Sequence, residues 1–204
     1  MNAYVTAPLS SHFRTLTPEE LQLSLQASLQ HWDQRSDVWV FAYGSLIWRP
    51  EFEFIEKQPA RLMGYHRSLC LWSRINRGTP DNPGIVFALD EGGECEGVAY
   101  KVAADQVKAT FPALWQREMP SGAYNPKWVE CQTANQKTVS ALTFIINPLT
   151  DAYVPSMPLG QLRHVIHRAH GLNGPCIDYV LQTAQALKRA NIADSKLEHL
   201  VQYL

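Results

Sequence analysis

The stretch Val38–Pro50, VWVFAYGSLIWRP, decides how the rest of the chain is read. Val38 to Tyr43 is β-branched, aromatic or small and carries no charge, the composition of a strand buried on both faces. Gly44-Ser45 ends the run. A glycine there lets the backbone turn sharply or approach a ligand, and the amides that follow could hold an anion at the mouth of the strand. The same residues read equally as a core strand ending in an ordinary turn.

Outward from this strand, Thr17-Pro18-Glu19-Glu20 is a capping box with a first-turn proline, and Leu21, Leu25 and Leu29 recur on one face. A helix to about Gln30, packed on the sheet, is expected after an irregular arm at 1–16. Downstream, Pro59 to Ser73 alternates as a long strand bent at Gly64, with Leu62, His66, Cys70 and Trp72 on one face and Met63, Tyr65, Arg67, Leu69 and Leu71 on the other. Ile85–Leu89 and Cys95–Val102 read as two strands joined by a hairpin at Asp90-Glu91-Gly92-Gly93. Ala103–Met119 is helical, interrupted at Pro112. Lys127–Thr133 and Thr138–Ile146 are strands. Helices are expected at about 161–170, 175–190 and 194–203, the last capped by Asp194. Five or six strands with helices in the middle and at the end make an α+β chain, and a closed or nearly closed barrel would manage the edges.

At 204 residues, 46% hydrophobic and 18% charged, one domain is the default, comprising an arm and helix at 1–37, a barrel core at 38–146 and C-terminal helices at 161–204. The net charge of -1 gives no footprint for nucleic acid, and no apolar run suits membrane insertion. The start resembles no secretory signal, so a cytoplasmic protein is expected. Cys70, Cys95, Cys131 and Cys176 lie far apart and read as reduced, buried thiols.

Among candidate chemical groups, Glu118 stands near a helix end beside Trp115, Met119 and Tyr124, where apolar surroundings would raise its pKa toward that of a general base. The alternative is a surface glutamate paired with Arg117. Arg74 and Arg77 could clamp a carboxylate or be solvated loop charges. Ser45 lacks the G-x-S-x-G elbow of a hydrolase nucleophile. His164, His167 and His170 are spaced by three, which drifts off one helix face, and suit a helix C-terminus better than a metal.

Taken together, Phe41-Ala42-Tyr43-Gly44-Ser45-Leu46-Ile47-Trp48, Gly64-Tyr65-His66-Arg67, Arg77-Gly78-Thr79-Pro80 with Pro83-Gly84, Cys95-Glu96-Gly97-Val98-Ala99-Tyr100, Arg117-Glu118-Met119 and Tyr124 resemble the ChaC family of glutathione-specific γ-glutamylcyclotransferases. The resemblance runs in order from about Val38 to the C-terminus. It implies a γ-glutamylcyclotransferase-like small mixed β-barrel with flanking helices. It also implies conversion of glutathione to 5-oxoproline and cysteinylglycine without a cofactor or metal. By the same mapping Glu118 is the catalytic base, and the Tyr43-Gly44-Ser45-Leu46 stretch binds the γ-glutamyl moiety; Phe41, Ala42 and Tyr124, from the matching motifs, and Arg74, from the loop, complete the expected substrate-binding residues. Ala42, Ala123 and the Pro175-Cys176 entry to a helix depart from the family pattern. Two other functions stay open at this point: a cyclotransferase for other γ-glutamyl amino acids or amines, and a non-catalytic γ-glutamyl binder that regulates a transporter.

Overall fold

The computed structural model describes residues 5–8 and 13–204. The expected arm at 1–16 therefore lies partly outside the described residues; its described parts carry no helix or strand. The capping box forms as the sequence dictates. Thr17 Oγ1 accepts from Glu20 N at 3.2 Å, the Glu20 carboxylate accepts from Thr17 N at 2.9 Å, and α1 spans Pro18–Leu29. Leu21, Leu25 and Leu29 are partly buried against the core. The helix lies on the next helix as well as on the sheet: Ser24 Oγ accepts from Trp115 Nε1 at 3.1 Å, and Ser28 O accepts from Trp128 Nε1 at 2.8 Å.

Strand β1, Val38–Ala42, pairs antiparallel with β3, Gly84–Val102, and β3 pairs with β2, Glu56–Ser73. Strands β4, Tyr124–Thr133, and β5, Thr138–Ile146, extend the order, and β5 returns to β1 in parallel, Trp39 against Ala141 and Val40 against Leu142. That pairing closes a five-stranded barrel. Strand β1 is covered on both faces because alternate side chains feed two clusters. Phe41 and then Tyr43 join strand residues such as Leu62, Leu89 and Cys131, whereas Val38, Val40 and Ala42 join a larger cluster shared with the helices.

Three local expectations are corrected. Asp90–Gly93 is no hairpin: β3 runs unbroken through it. Opposite, Gly64 has φ +85° and is passed over by the pairing, while Gly92 and Gly93 have φ +93° and +71°, so a glycine bulge bends one long two-stranded ribbon. That bulge and another between Leu69 and Leu71 also break the two faces expected of β2, and Leu62 ends in one cluster, Cys70 and Trp72 in the other. Third, α2 is a continuous helix over Ala104–Glu118 with Pro112 inside it. Pro112 is on the exposed side, where water can satisfy the carbonyl that its missing N–H leaves free, and Val107, Phe111, Leu114 and Trp115 bury the opposite face.

After β5 a loop leads to α3, Leu159–Arg168, then to a two-residue hairpin of β6, His170–Gly171, and β7, Gly174–Pro175. Helices α4, Cys176–Arg189, and α5, Ser195–Tyr203, finish the chain, with Asp194 accepting from Leu197 N as the expected cap. His170 has left the helix that carries His164 and His167. No helix among the described residues is long and apolar enough to cross a membrane. The four cysteines are buried and free.

The loop between β2 and β3 folds back on itself at Gly78, where an added Cβ would lie 2.1 Å from Gly84 N and 2.5 Å from Ser73 O. Both are backbone atoms and cannot yield without opening the loop that carries Arg74 and Arg77. Gly78→Ala is expected to lower stability by about 2–3 kcal/mol, read as a shift in the urea midpoint at constant slope.

Candidate active site

Strand β3 enters the barrel with β2 on one side only; its other edge is unpaired from Ile85 to Phe87, short of the single contact of Leu89 with Ile145. Side chains take the place of the missing strand. The Cys176 thiol donates to Ile85 O at 3.1 Å and accepts from Ile85 N at 3.4 Å. Two residues on, Tyr179 OH accepts from Phe87 N at 3.1 Å, and Tyr124 OH donates to Phe87 O at 3.3 Å. Cys176 and Tyr179 form the first turn of α4, and Tyr124 opens β4, so this edge gathers three distant segments.

The seam opens into a cavity of about 370 Å³, a volume that suits a small-molecule ligand. Ser45 comes to it from the turn after β1, Glu118 from the end of α2, Tyr124 from β4 and Tyr179 from α4. Arg74 and Arg77 come from the folded-back loop, and Phe13 from the N-terminal arm. Four arginines, Arg49, Arg74, Arg77 and Arg117, face two carboxylates, Glu51 and Glu118. In a chain with a net charge of -1 this is a local excess of two positive charges, and it favours an anionic ligand.

Glu118 is the last residue of α2, and its side chain is only 13% exposed. Its carboxylate meets Arg117 Nε at 3.1 Å, so the expected pairing with Arg117 is present, but the glutamate is buried and not on the surface. Burial pushes its pKa above the ordinary 4.5; Arg117 pulls it back, and the nearby Glu51 raises it. Arg117 is the organiser here. Its Nη2 donates to Ser45 Oγ at 3.0 Å and its Nη1 to Glu51 Oε2 at 2.7 Å, tying the turn after β1 to the C-terminal end of α2.

The residues named from sequence separate into two groups. Ser45, Arg74, Glu118 and Tyr124 line the cavity. Phe41, Ala42 and Leu46 are buried in the core, and Tyr43 sits behind the wall, its phenol donating to Phe144 O at 2.7 Å. Burial raises the phenol pKa values of Tyr43 and Tyr124 well above the usual value, which keeps both neutral donors. Gly44 lies under Tyr179: a Cβ there would be 3.0 Å from the Tyr179 hydroxyl. Ser45–Ile47 is a single 3₁₀ turn, bonded through Ile47 N to Gly44 O at 3.0 Å and Trp48 N to Ser45 O at 3.2 Å. The amides of Ser45 and Leu46 take no part in these turn bonds.

Tyr179 was not singled out from the sequence, nor were Trp48 and Phe13. Tyr179 and Trp48 flank the Arg77 guanidinium, whose carbon is 5.6 Å and 5.9 Å from their ring centres. An aromatic residue in the first turn of an amphipathic helix gives no sign that its hydroxyl will bond a strand edge.

A family model described as ChaC-like protein matches residues 38–204. The chain belongs to the ChaC family. This ChaC protein is 34% identical over 183 residues to the glutathione-specific γ-glutamylcyclotransferase of Escherichia coli K12, covering 90% of this chain and 79% of that protein. It is 31% identical to human glutathione-specific γ-glutamylcyclotransferase 1 over 74% of this chain and 70% of that one. Among solved structures, a glutathione-specific γ-glutamyl cyclotransferase from yeast superposes with a TM-score of 0.76 at 22% identity, over 82% of this chain and 95% of that chain. The α+β barrel expected from sequence is thus the fold of this ChaC protein.

The raised pKa of Glu118 has a consequence for stability. A carboxyl whose pKa is higher folded than unfolded stabilises the fold fully below the unfolded value, and that contribution is lost as pH rises through the folded value. Glutamine keeps the shape and cannot ionise. The melting temperature of Glu118→Gln relative to wild type is therefore expected to increase between pH 4.5 and pH 8, and calorimetric scans across that range check the sign.

Proposed function

We propose that this protein cyclises the γ-glutamyl group of glutathione, releasing 5-oxo-L-proline and L-cysteinylglycine. The observation that carries this reading is the buried Glu118 carboxylate, raised in pKa, on the wall of a small cavity with a positive excess. The relatives that bear the glutathione-specific name support it over a cyclotransferase for other γ-glutamyl compounds. A placed base speaks against a binder without chemistry. Four buried thiols suit a reducing compartment, and we place the enzyme in the cytoplasm.

The reaction needs no nucleophile from the protein, because the substrate's own α-amine attacks its γ-carbonyl carbon. The site has to fold the γ-glutamyl arm into a ring-forming shape and move protons. Glu118 is assigned as the base: ionised, it takes a proton from the α-ammonium, freeing the nitrogen lone pair. The new C–N bond closes the five-membered ring, and the carbonyl carries negative charge as a tetrahedral oxyanion. As the oxyanion collapses, the bond to the cysteinyl nitrogen breaks and Glu118 returns the proton to that nitrogen. The ring nitrogen sheds its second proton and the departing amine gains one, so nothing is consumed. Arg117 keeps the carboxylate oriented through its 3.1 Å contact, and burial keeps it basic enough to act. The Ser45 and Leu46 amides and the hydroxyl of Tyr124 are assigned to the γ-glutamyl group, with Tyr43 and Gly44 shaping the wall behind them.

Purified protein given reduced glutathione is expected to yield 5-oxoproline and cysteinylglycine in equal amounts by mass spectrometry. Glu118→Gln should lower kcat by about 10²–10⁴-fold, the range of a lost general acid–base group. For the wild type, kcat/KM should fall on the acid side as Glu118 is protonated, with a limb displaced above the ordinary glutamate value of 4.5. A folded Glu118→Gln protein with near-normal turnover would sink the assignment.

A further inference from the structure

The cavity has one wall that the matched family region does not supply. The match begins at residue 38, yet Phe13, before it, lines the cavity. Val5 N donates to the side chain of Gln161 on α3 at 3.0 Å, Pro8 O accepts from Arg74 Nη2 at 2.8 Å, and Leu16 N donates to Pro120 O, just past α2, at 2.8 Å. Between the last two anchors Phe13 lines the cavity, with the Arg74 guanidinium carbon 6.0 Å from its ring centre. The Leu16 side chain packs over Gly122, and the capping box at Thr17 fixes the start of α1. The described arm residues thus touch α3 at Val5, Arg74 at Pro8 and Phe13, and the segment after α2 at Leu16.

Arg74 is only 5% exposed, lines the cavity, and has a buried Nε with no hydrogen-bond partner among the described residues. A buried donor left unpaired is costly, and a buried guanidinium on a cavity wall, with one donor given to Pro8 O, is a group that a carboxylate pairs with. Burial lowers the pKa of the Arg74 guanidinium, and Asp151 offsets part of that electrostatically, so an anionic partner would relieve the cost of burying the charge. Arg77 is differently placed: its Nη1 donates to Pro175 O at 3.1 Å and its plane is held by Trp48 and Tyr179 beside the helix that flanks the reacting end.

We propose that Arg74, held over the cavity by Pro8 and Phe13 of the N-terminal arm, binds the terminal glycine carboxylate of the tripeptide substrate. The arm thereby makes this enzyme select a γ-glutamyl tripeptide over the dipeptide γ-glutamylcysteine. This rests on the cyclotransferase reading above. Arg74 is the specificity residue, and Phe13 is a positioning residue that acts through it. The ring-forming end of the substrate is common to both compounds, so only the discrimination between them reports on this subsite.

The test measures kcat/KM of the full chain for glutathione and for γ-glutamylcysteine, in the wild type, Arg74→Gln and Phe13→Ala. The wild type should prefer glutathione. Arg74→Gln should reduce that preference by tenfold or more, chiefly through KM for glutathione, and Phe13→Ala should reduce it by a smaller factor in the same direction. Arg74→Lys should restore part of the preference, because it returns the charge without the planar guanidinium. If Arg74→Gln slows both substrates by the same factor, Arg74 is merely structural and the inference is overturned while the cyclotransferase reading stands. If the wild type converts neither compound to 5-oxoproline, that reading falls and the inference with it.

Discussion

The site depends on what happens to the backbone of β3 at Ile85 and Phe87. A five-stranded barrel closed by one parallel pair leaves this edge without a strand, and buried N–H and C=O groups without partners would cost more than the fold could bear. Cys176, Tyr179 and Tyr124 supply the partners. Because residues two apart in a strand point their amides the same way, a thiol and a hydroxyl one helical turn apart on α4 can serve Ile85 and Phe87 in succession. That requirement docks α4 on the barrel seam and brings two phenols to the cavity. The cavity is a by-product of how the barrel finishes its edge.

On that frame Arg117 resolves an electrostatic conflict. A carboxylate at a helix C-terminus meets the unfavourable end of the macrodipole, and burial adds to its cost. Full compensation by a tight ion pair would pull the Glu118 pKa back down. Arg117 divides its donors among Glu118, Ser45 and Glu51, so the carboxylate is oriented while burial still dominates its protonation. The same arrangement locks the turn after β1 against α2, which explains why a motif at 43–46 and a motif at 117–119, seventy-odd residues apart, act as one unit. A group kept in an environment that disfavours its working charge is where stability is exchanged for activity.

Much of this was legible in the chain. The capping box at Thr17, the cap at Asp194, the doubly covered β1 and the isolated glutamate near an apolar helix end are local signals, and local chemistry decides them. What escaped was decided by partners distant in sequence. Asp90–Gly93 has the composition of a hairpin turn, but pairing with β2 along its whole length outweighs that preference and converts the glycines to a bulge. Pro112 reads as a break, yet the four large apolar residues on the buried face of α2 hold the helix through a single lost hydrogen bond on the exposed side. Cys176 and Tyr179 look like core residues of an amphipathic helix. Their second role, bonding a strand edge, depends on α4 meeting β3, which no window of the sequence records.

Phe13 illustrates the same limit at the substrate's other end. The described residues of the arm form no helix or strand, so they give no periodicity to read, and their effect comes from three anchors on separate elements, Gln161, Arg74 and Pro120. The division has a physical logic. In the proposed reaction, ring closure demands fixed geometry among Glu118, Arg117 and the turn after β1, all within the barrel and its packed helices. Recognition of the leaving peptide needs only an oriented charge at the far wall, which a short segment can provide by covering one arginine and leaving its Nε–H unsatisfied. A segment that contributes selectivity in this way stands apart from the barrel strands, since its anchors among the described residues are Gln161, Arg74 and Pro120.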